Sequence, residues 1–224
     1  MAALEVRNEE TIRVAVIGCG AFGTAMAMVA ARKGHSVTIY ARDEAQVSSI
    51  NTAHRNPRYL SDFELPENII ATSSVEDALD GASLCMLAIP AQKIPDFMKL
   101  HKEAIPPTTI LCNTSKGLYL PTKQLLSEAI LEALGRDQPL AILSGPSFAI
   151  EIMRAHPTAV TVASKLLYNA VAVQRWLSSM SFRIYTTQDT IGVELGGALK
   201  NPLAVGAGMI EGQGLKSLFN KSQI

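Results

Sequence analysis

"VAVIGCGAFGTAMAMVAARKGHSVTIYARD", residues 14–43, runs from four apolar residues into glycines at 18, 20 and 23. Small residues follow, then a second apolar run that ends in Arg42 and Asp43. An apolar run, a glycine turn and then a helical pattern predict strand, tight turn and helix. In a G-x-G-x-x-G turn each glycine has its own task. Gly18 makes the turn, Gly20 lets backbone approach a pyrophosphate, and Gly23 lets helix and strand pack closely. The helix N-terminus then offers unpaired N–H groups and partial positive charge to phosphates. Glycine turns are common and the motif alone is weak, but here strand, turn, helix and second strand stand in the order that dinucleotide binding needs.

At the end of the second strand, an acidic residue suits the ribose hydroxyls of NAD, whereas an arginine suits the 2′-phosphate of NADP. Arg42 can pair with that phosphate, stack on adenine, or simply be a solvated charge beside a helix start. The preference between NAD and NADP stays open.

Working outward, short β-branched runs alternate with helical patterns, which predicts a parallel sheet with crossover helices. Strands are expected at 13–17, 37–40, 69–72, 84–89, 109–113, 140–143, 159–163 and 182–185. Helices are expected at 23–33, 44–51, 75–79, 93–102, 122–134, 148–154 and 167–178. Gly34 suits the end of the first helix, Asp43 an N-cap, and Ser74 with Asp77 a capping box. The fold class is therefore α/β: a Rossmann-like, mostly parallel sheet with helices on both faces.

From Asp189 the chain turns rich in Gly and Ala. Glycine costs about 1 kcal/mol in a helix interior, and close helix packing is the usual compensation. A buried helix is expected to open an all-α second domain here. That divides the chain into a dinucleotide-binding domain, 1–188, and the first part of a helical substrate domain, 189–224.

Bulk properties limit the alternatives. Twenty basic and twenty acidic residues cancel, which argues against nucleic acid or an anionic membrane surface as partner. Cys19, Cys85 and Cys112 share no metal-ligand spacing, so no metal is expected, and an odd count fits a disulfide framework poorly. They read as buried, reduced thiols. The start, "MAALEVRNEETIR", carries no targeting pattern, and the apolar stretches fall short of the roughly 20 residues of a membrane span. A soluble, cytoplasmic protein is expected.

Two further turns reach the same sheet edge as the glycine loop. "NTSKGL" sets Lys116 in a loop after a strand, and "SGPSFAIE" sets Gly145, Pro146 and Ser147 in a strand-to-helix turn. Ligands of open α/β sheets bind beyond the C-terminal strand ends. A loop lysine by itself is usually solvated. Lys200, in "GGALKNPLAVGAG", is a lone cation in an apolar segment. Desolvation, or a nearby oxidised nicotinamide ring, would suit it to proton transfer; the alternative is a lysine snorkelling to the surface.

With these motifs in view, the chain resembles the soluble NAD(P)-dependent glycerol-3-phosphate dehydrogenases over about residues 12–214, through "GCGAFGTA", "AIPAQ", "NTSKGL", "SGPSFAIE" and "GVELGGALKN". The resemblance implies interconversion of sn-glycerol 3-phosphate and dihydroxyacetone phosphate, within glycerophospholipid and carbohydrate metabolism. It implies that Lys200 transfers the proton and that Lys116 holds substrate beside the nicotinamide. Gly145, Ser147 and Asn201 are the implied substrate contacts. Gly18, Gly20, Ala21, Phe22, Gly23, Arg42, Pro90, Lys116 and Ala149 are the implied cofactor contacts, with NAD or NADP as cofactor. A homodimer is expected.

Two departures from the family pattern bear on activity. Pro202 stands where the family has a branched apolar residue, and proline removes a backbone donor and can kink a helix. The Asn-rich turn and the phosphate-clamping Arg of the family do not appear before Ile224, so a truncated substrate module with impaired activity is expected. Two other functions stay open: a catalytically inactive nucleotide-binding remnant, and a hydroxyacid or ketopantoate-type dehydrogenase. Exposed apolar surface around 192–209 is expected to drive dimerisation or aggregation.

Overall fold

The computed structural model describes residues 11–213. The apolar run before the first glycine is strand β1 (Arg13–Ile17), and the small-residue stretch after it is helix α1 (Ala21–Arg32). The chain continues through β2 (Ser36–Tyr40), α2 (Glu44–Ala53), β3 (Ile69–Thr72), α3 (Val75–Leu79) and β4 (Leu84–Leu87). A 3₁₀ turn, Ala91–Lys93, leads into α4 (Ile94–His101) and β5 (Ile110–Asn113). A short hairpin, β6 (Leu118–Tyr119) with β7 (Gln124–Leu125), precedes α5 (Leu126–Leu134) and β8 (Leu140–Ser144). Last come α6 (Ala149–Met153), β9 (Thr158–Ala163), α7 (Leu167–Leu177), β10 (Phe182–Thr187) and α8 (Thr190–Gly212).

The main sheet has the order β10-β9-β8-β5-β4-β1-β2-β3. Strands β3 to β8 in that order are mutually parallel; β9 turns antiparallel to β8, and β10 follows β9 in parallel. Side chains alternate across the pleat. Val14 and Val16 join one apolar layer with Met26, Val29, Ile152 and Val173, while Ala15 and Ile17 join the other with Leu79, Met98 and Ile130. Helices therefore cover both faces, as the α/β reading expects. Strand order reverses at β1, between β2 and β4, and a crevice at such a reversal is where open α/β sheets take ligands.

Local caps follow the sequence. Asp43 Oδ1 accepts from the N–H groups of Ala45 and Gln46, and Ser74 Oγ accepts from Asp77 N–H. Gly34, with φ +83°, follows the α1 C-cap.

Four expectations need correction. The first helix starts at Ala21, two residues before Gly23. Strand β4 stops at Leu87 instead of 89, because the Ile89 carbonyl accepts from the Ser115 hydroxyl instead of a strand partner. The helix expected from 122 begins at Leu126. Gln92 holds Leu118 and Leu120 by its side-chain amide, and Lys123 adopts φ +57°, so the segment before it becomes a hairpin.

The fourth correction concerns α8. It was expected to be buried, yet among its described residues only Thr190, Glu194 and Gly197 are, and Leu195, Leu199, Leu203, Val205 and Met209 are exposed. The helix packs on β8 and β9 along one stripe only. It runs on through Pro202, and Gly196, Gly206, Gly208 and Gly212 face open space, so close packing accounts for Gly197 alone among these five. No helix among the described residues is long and apolar enough to cross a membrane.

Candidate functional site

The glycine loop separates the three tasks cleanly. Gly18 has φ +118°, and a Cβ there would stand 2.5 Å from the Ala88 carbonyl oxygen. A Cβ on Gly23 would stand 2.0 Å from the Gly18 carbonyl oxygen. Both positions exclude any side chain. Gly20 differs: nothing lies within 4 Å of a Cβ built on it, so it borders open space at the α1 N-terminus. No side chain caps that N-terminus and no acidic residue occupies its first turn. The N–H groups of Ala21 and Phe22, both half-buried, are thus left to an anion, and the open cradle fits a pyrophosphate.

A buried amide network that the sequence reading missed supports the loop. Asn56 donates to the Cys19 carbonyl at 3.1 Å and to Thr24 Oγ1 at 2.8 Å. Gln46 donates to the same Cys19 carbonyl and to Asn56 Oδ1. Asn56 lies 37 residues from Cys19, and nothing local in the sequence links them. The Cys19 thiol is pushed up to about 11 by burial, and Cys85 and Cys112 are likewise buried and raised, so none is a ready nucleophile.

Gly18 N–H donates to the Tyr40 carbonyl, which places the loop against the end of β2. Arg42 is exposed just beyond, while Asp43 Oδ1 is committed to the cap of α2. Of these two neighbours, the arginine is exposed and the carboxylate serves the helix start.

Pro90 is exposed at the start of the 3₁₀ turn. From there a chain of contacts leads to the lysines. Ser115 Oγ donates to the Ile89 carbonyl at 2.5 Å, Thr114 Oγ1 to Leu87 at 2.7 Å, and Asn113 Oδ1 accepts from Ser115 N–H. This fixes the loop whose next residue, Lys116, donates from Nζ to the Gly145 carbonyl at 3.2 Å. Ser147, 8% exposed, turns its Oγ toward the same carbonyl at 3.5 Å. Ala149 is the first residue of α6, half-buried.

α8 crosses this cluster at Gly197, where a Cβ would lie 2.7 Å from Ser144 Oγ and 3.7 Å from Lys116 Cγ. One turn further, Lys200 Nζ sits 5.0 Å from the centre of the Phe148 ring, a cation–π distance. Lys200 is half-buried, neither sealed in a helix core nor free in bulk water. Burial, reinforced by the charge of Lys200, lowers the pKa of Lys116 below its ordinary 10.5. The structure thus gathers Lys116, Gly145, Ser147 and Lys200 at one place and adds Phe148, which the sequence reading did not assign. Asn201 is exposed on α8 and is not among the contacts of this cluster. Two lysines, Lys116 donating to the Gly145 carbonyl and Lys200 over an aromatic face, make a small cationic corner suited to an anionic or carbonyl-bearing ligand.

Comparison with known proteins gives the following. Residues 13–170 match the family described as NAD-dependent glycerol-3-phosphate dehydrogenase N-terminus, and residues 189–223 match that family's C-terminus. The chain is 48% identical over 210 residues to a protein of Oryza sativa subsp. japonica named glycerol-3-phosphate dehydrogenase (NAD+), chloroplastic, covering 92% of this chain and 48% of that one. It is 43% identical over 202 residues to a glycerol-3-phosphate dehydrogenase (NAD(P)+) of Chelativorans sp. (strain BNC1), covering 90% of this chain and 62% of that one. The crystal structure of glycerol-3-phosphate dehydrogenase from Coxiella burnetii superposes with a TM-score of 0.84 at 33% identity, over 92% of this chain and 63% of that one. The chain spans about half the length of the Oryza relative.

Proposed function

The chain belongs to the NAD-dependent glycerol-3-phosphate dehydrogenase family, and from that membership we propose that it interconverts sn-glycerol 3-phosphate and dihydroxyacetone phosphate with NAD or NADP. The observation that carries the reading is the meeting of Lys116 and Lys200 at the sheet edge that also bears the open Gly20 cradle. A glycine cradle alone would serve many nucleotides, and two lysines alone would serve many anions. Their shared edge is what suits a phosphorylated alcohol and a dinucleotide together.

Gly18, Gly20 and Gly23 with the Ala21 and Phe22 N–H groups hold the pyrophosphate in this reading, and Arg42, Pro90 and Ala149 border the rest of the cofactor. Bound nicotinamide supplies the acceptor and donor of hydride. Lys200 takes the C2 hydroxyl proton as glycerol 3-phosphate is oxidised and returns it to the carbonyl oxygen in reduction. Lys116, anchored on the Gly145 carbonyl, orients substrate and offsets negative charge growing on that oxygen, with Ser147 and Asn201 as further substrate contacts.

The domain division belongs to the same proposal: residues 1–188 bind the dinucleotide, and 189–224 begin a helical substrate domain. Asp189, which caps α8 through Gly192 N–H, and the second family match from residue 189 support it. A homodimer is supported by the exposed ridge of Leu195, Leu199 and Leu203 on α8. The cytoplasmic placement also remains a proposal; the buried thiols fit any reducing compartment, and the Oryza relative carries "chloroplastic" in its name. The balance of charge supports small molecules, not nucleic acid, as partners.

The test is reduction of dihydroxyacetone phosphate with NADH and with NADPH, beside direct cofactor binding. Turnover that Lys200→Ala abolishes while cofactor still binds is the expected result. Cofactor binding with no turnover at saturating substrate would leave a nucleotide-binding chain, and turnover of 2-keto acids instead would make it a hydroxyacid or ketopantoate-type enzyme.

A further inference from the structure

Helix α8 carries Lys200 but meets the sheet through few side chains. Its buried residues are Thr190, Glu194 and Gly197. These stand at i, i+4 and i+7 and so share one helical face, and Lys200 follows Gly197 by three residues at the edge of that face. Thr190 only opens the helix, and Gly197 brings no side chain. Glu194, 6% exposed, is the side chain that anchors the middle of the face.

A carboxylate is almost never buried without partners. Those of Glu194 lie on another helix. Oε1 accepts from Ser127 N–H at 2.9 Å, Oε2 accepts from the Ser127 hydroxyl, and Leu126 N–H contributes as well. These donors open α5, a helix of nine residues whose N-cap, Leu125, has no capping side chain. An uncapped helix start leaves N–H groups unpaired and carries partial positive charge. Glu194 supplies from 67 residues away what a local Ser or Asp cap would supply.

We propose that Glu194 is a positioning residue for the reaction: by capping α5 from α8 it fixes the rotation and translation of α8, and so holds Lys200 over Phe148 and beside Lys116. The lever is short. Lys200 lies six residues, under two helical turns, beyond Glu194. A helix that slides or rolls at Glu194 carries the ammonium group with it, and proton transfer is sensitive to displacements of about 1 Å. The inference rests on the reading above in taking Lys200 as the proton carrier.

The test reads geometry separately from turnover, on the full chain. Burial and then the charge of Lys200 depress the titration of Lys116, and Gly197 of α8 packs beside Lys116 Cγ, so a side-chain NMR titration of Lys116 reports how near α8 and its Lys200 stand. Lys200→Met sets the upward shift that loss of the Lys200 charge alone produces. Glu194→Ala is expected to give about half of that shift or more, and Glu194→Gln, which keeps an acceptor for Ser127 N–H, much less. NADH affinity should stay within about twofold, while kcat for dihydroxyacetone phosphate falls about tenfold in Glu194→Ala and recovers in Glu194→Gln. A folded Glu194→Ala protein whose Lys116 titrates as in the parent overturns the proposal. If circular dichroism shows that this variant does not fold, Ser127→Ala, which removes a single donor, takes its place; an unmoved Lys116 overturns the proposal there too. A Lys116 shift in a protein whose turnover is absent, or survives Lys200→Ala, upholds the positioning and rejects the functional reading instead.

Discussion

Gly197 packs so closely on Ser144 that a Cβ built on it would stand 2.7 Å from the Ser144 Oγ. This contact, with no side chain between helix and strand end, sets how near α8 comes to the Lys116 loop. Gly197→Val therefore pushes α8 away from β8. Overpacking of this kind costs about 1–3 kcal/mol. Thermal unfolding should show a lowered midpoint, and dihydroxyacetone phosphate reduction should be lost while NADH binding, which draws on the glycine loop as well, largely persists. Equal loss of both would mean that the contact matters to the whole fold and not to the lysine corner.

The two lysines make a pH prediction. Burial and the charge of Lys200 lower the Lys116 pKa from its ordinary 10.5. Between that lowered value and 10.5 the unfolded chain holds more protons than the folded one, so this group makes stability rise with pH across the window; the contribution is complete above 10.5 and lost as pH falls through the folded value. Lys200→Met removes the repulsion and narrows the window. Denaturant melts of parent and variant from neutral to alkaline pH should show a smaller rise in the variant, and an identical slope would contradict the coupling.

Gly20 and Gly23 should separate binding from folding. Gly20 has extended backbone, φ −76° and ψ 179°, and open space around it, so Gly20→Ser gives α1 a good N-cap without strain. Its melting temperature should hold or rise, while NADH affinity falls about tenfold or more as the side chain enters the cradle. Gly23→Ala meets the Gly18 carbonyl oxygen directly and should lower the melting temperature as well. Unchanged NADH affinity in Gly20→Ser would remove the pyrophosphate from this loop.

Asn56 is held at once to the loop carbonyl of Cys19, to Thr24 and to Gln46. Asn56→Ala takes the amide donor from Thr24 Oγ1 and one of two partners each from the Cys19 carbonyl and the Gln46 amide, at a cost of about 1–3 kcal/mol. Urea denaturation measures it. A change under about 0.5 kcal/mol would show that water replaces the amide.

Arg42, exposed beyond β2 beside a committed Asp43, should favour the 2′-phosphate. Arg42→Ala is expected to weaken NADPH binding about tenfold and NADH binding much less. Fluorescence titration with both cofactors decides it, and equal weakening would assign the guanidinium to adenine stacking.

The strand–turn–helix at Arg13–Arg32, the cap at Asp43 and the end of α1 at Gly34 were legible in the sequence because each depends on residues within a few positions of one another. So was the alternation that builds the sheet. The hairpin at Leu118–Leu125 was not, because Gln92, 26 residues away from Leu118, holds it. Glycine density in α8 was read as burial, and the helix instead exposes its leucines; composition records that backbones can approach and not whether one does.

What the residue order alone settled was the kind of fold and which loops and side chains reach the ligand-bearing edge of its sheet. Short-range sterics, periodicity and helix-end hydrogen bonding act within a few residues, and all are written locally. Folding in space settled the partnerships: Lys116 on Gly145, Lys200 over Phe148, Glu194 at the start of α5. Each joins residues from separate elements, and their approach depends on strand order and on how a helix lies on the sheet, which no local pattern encodes.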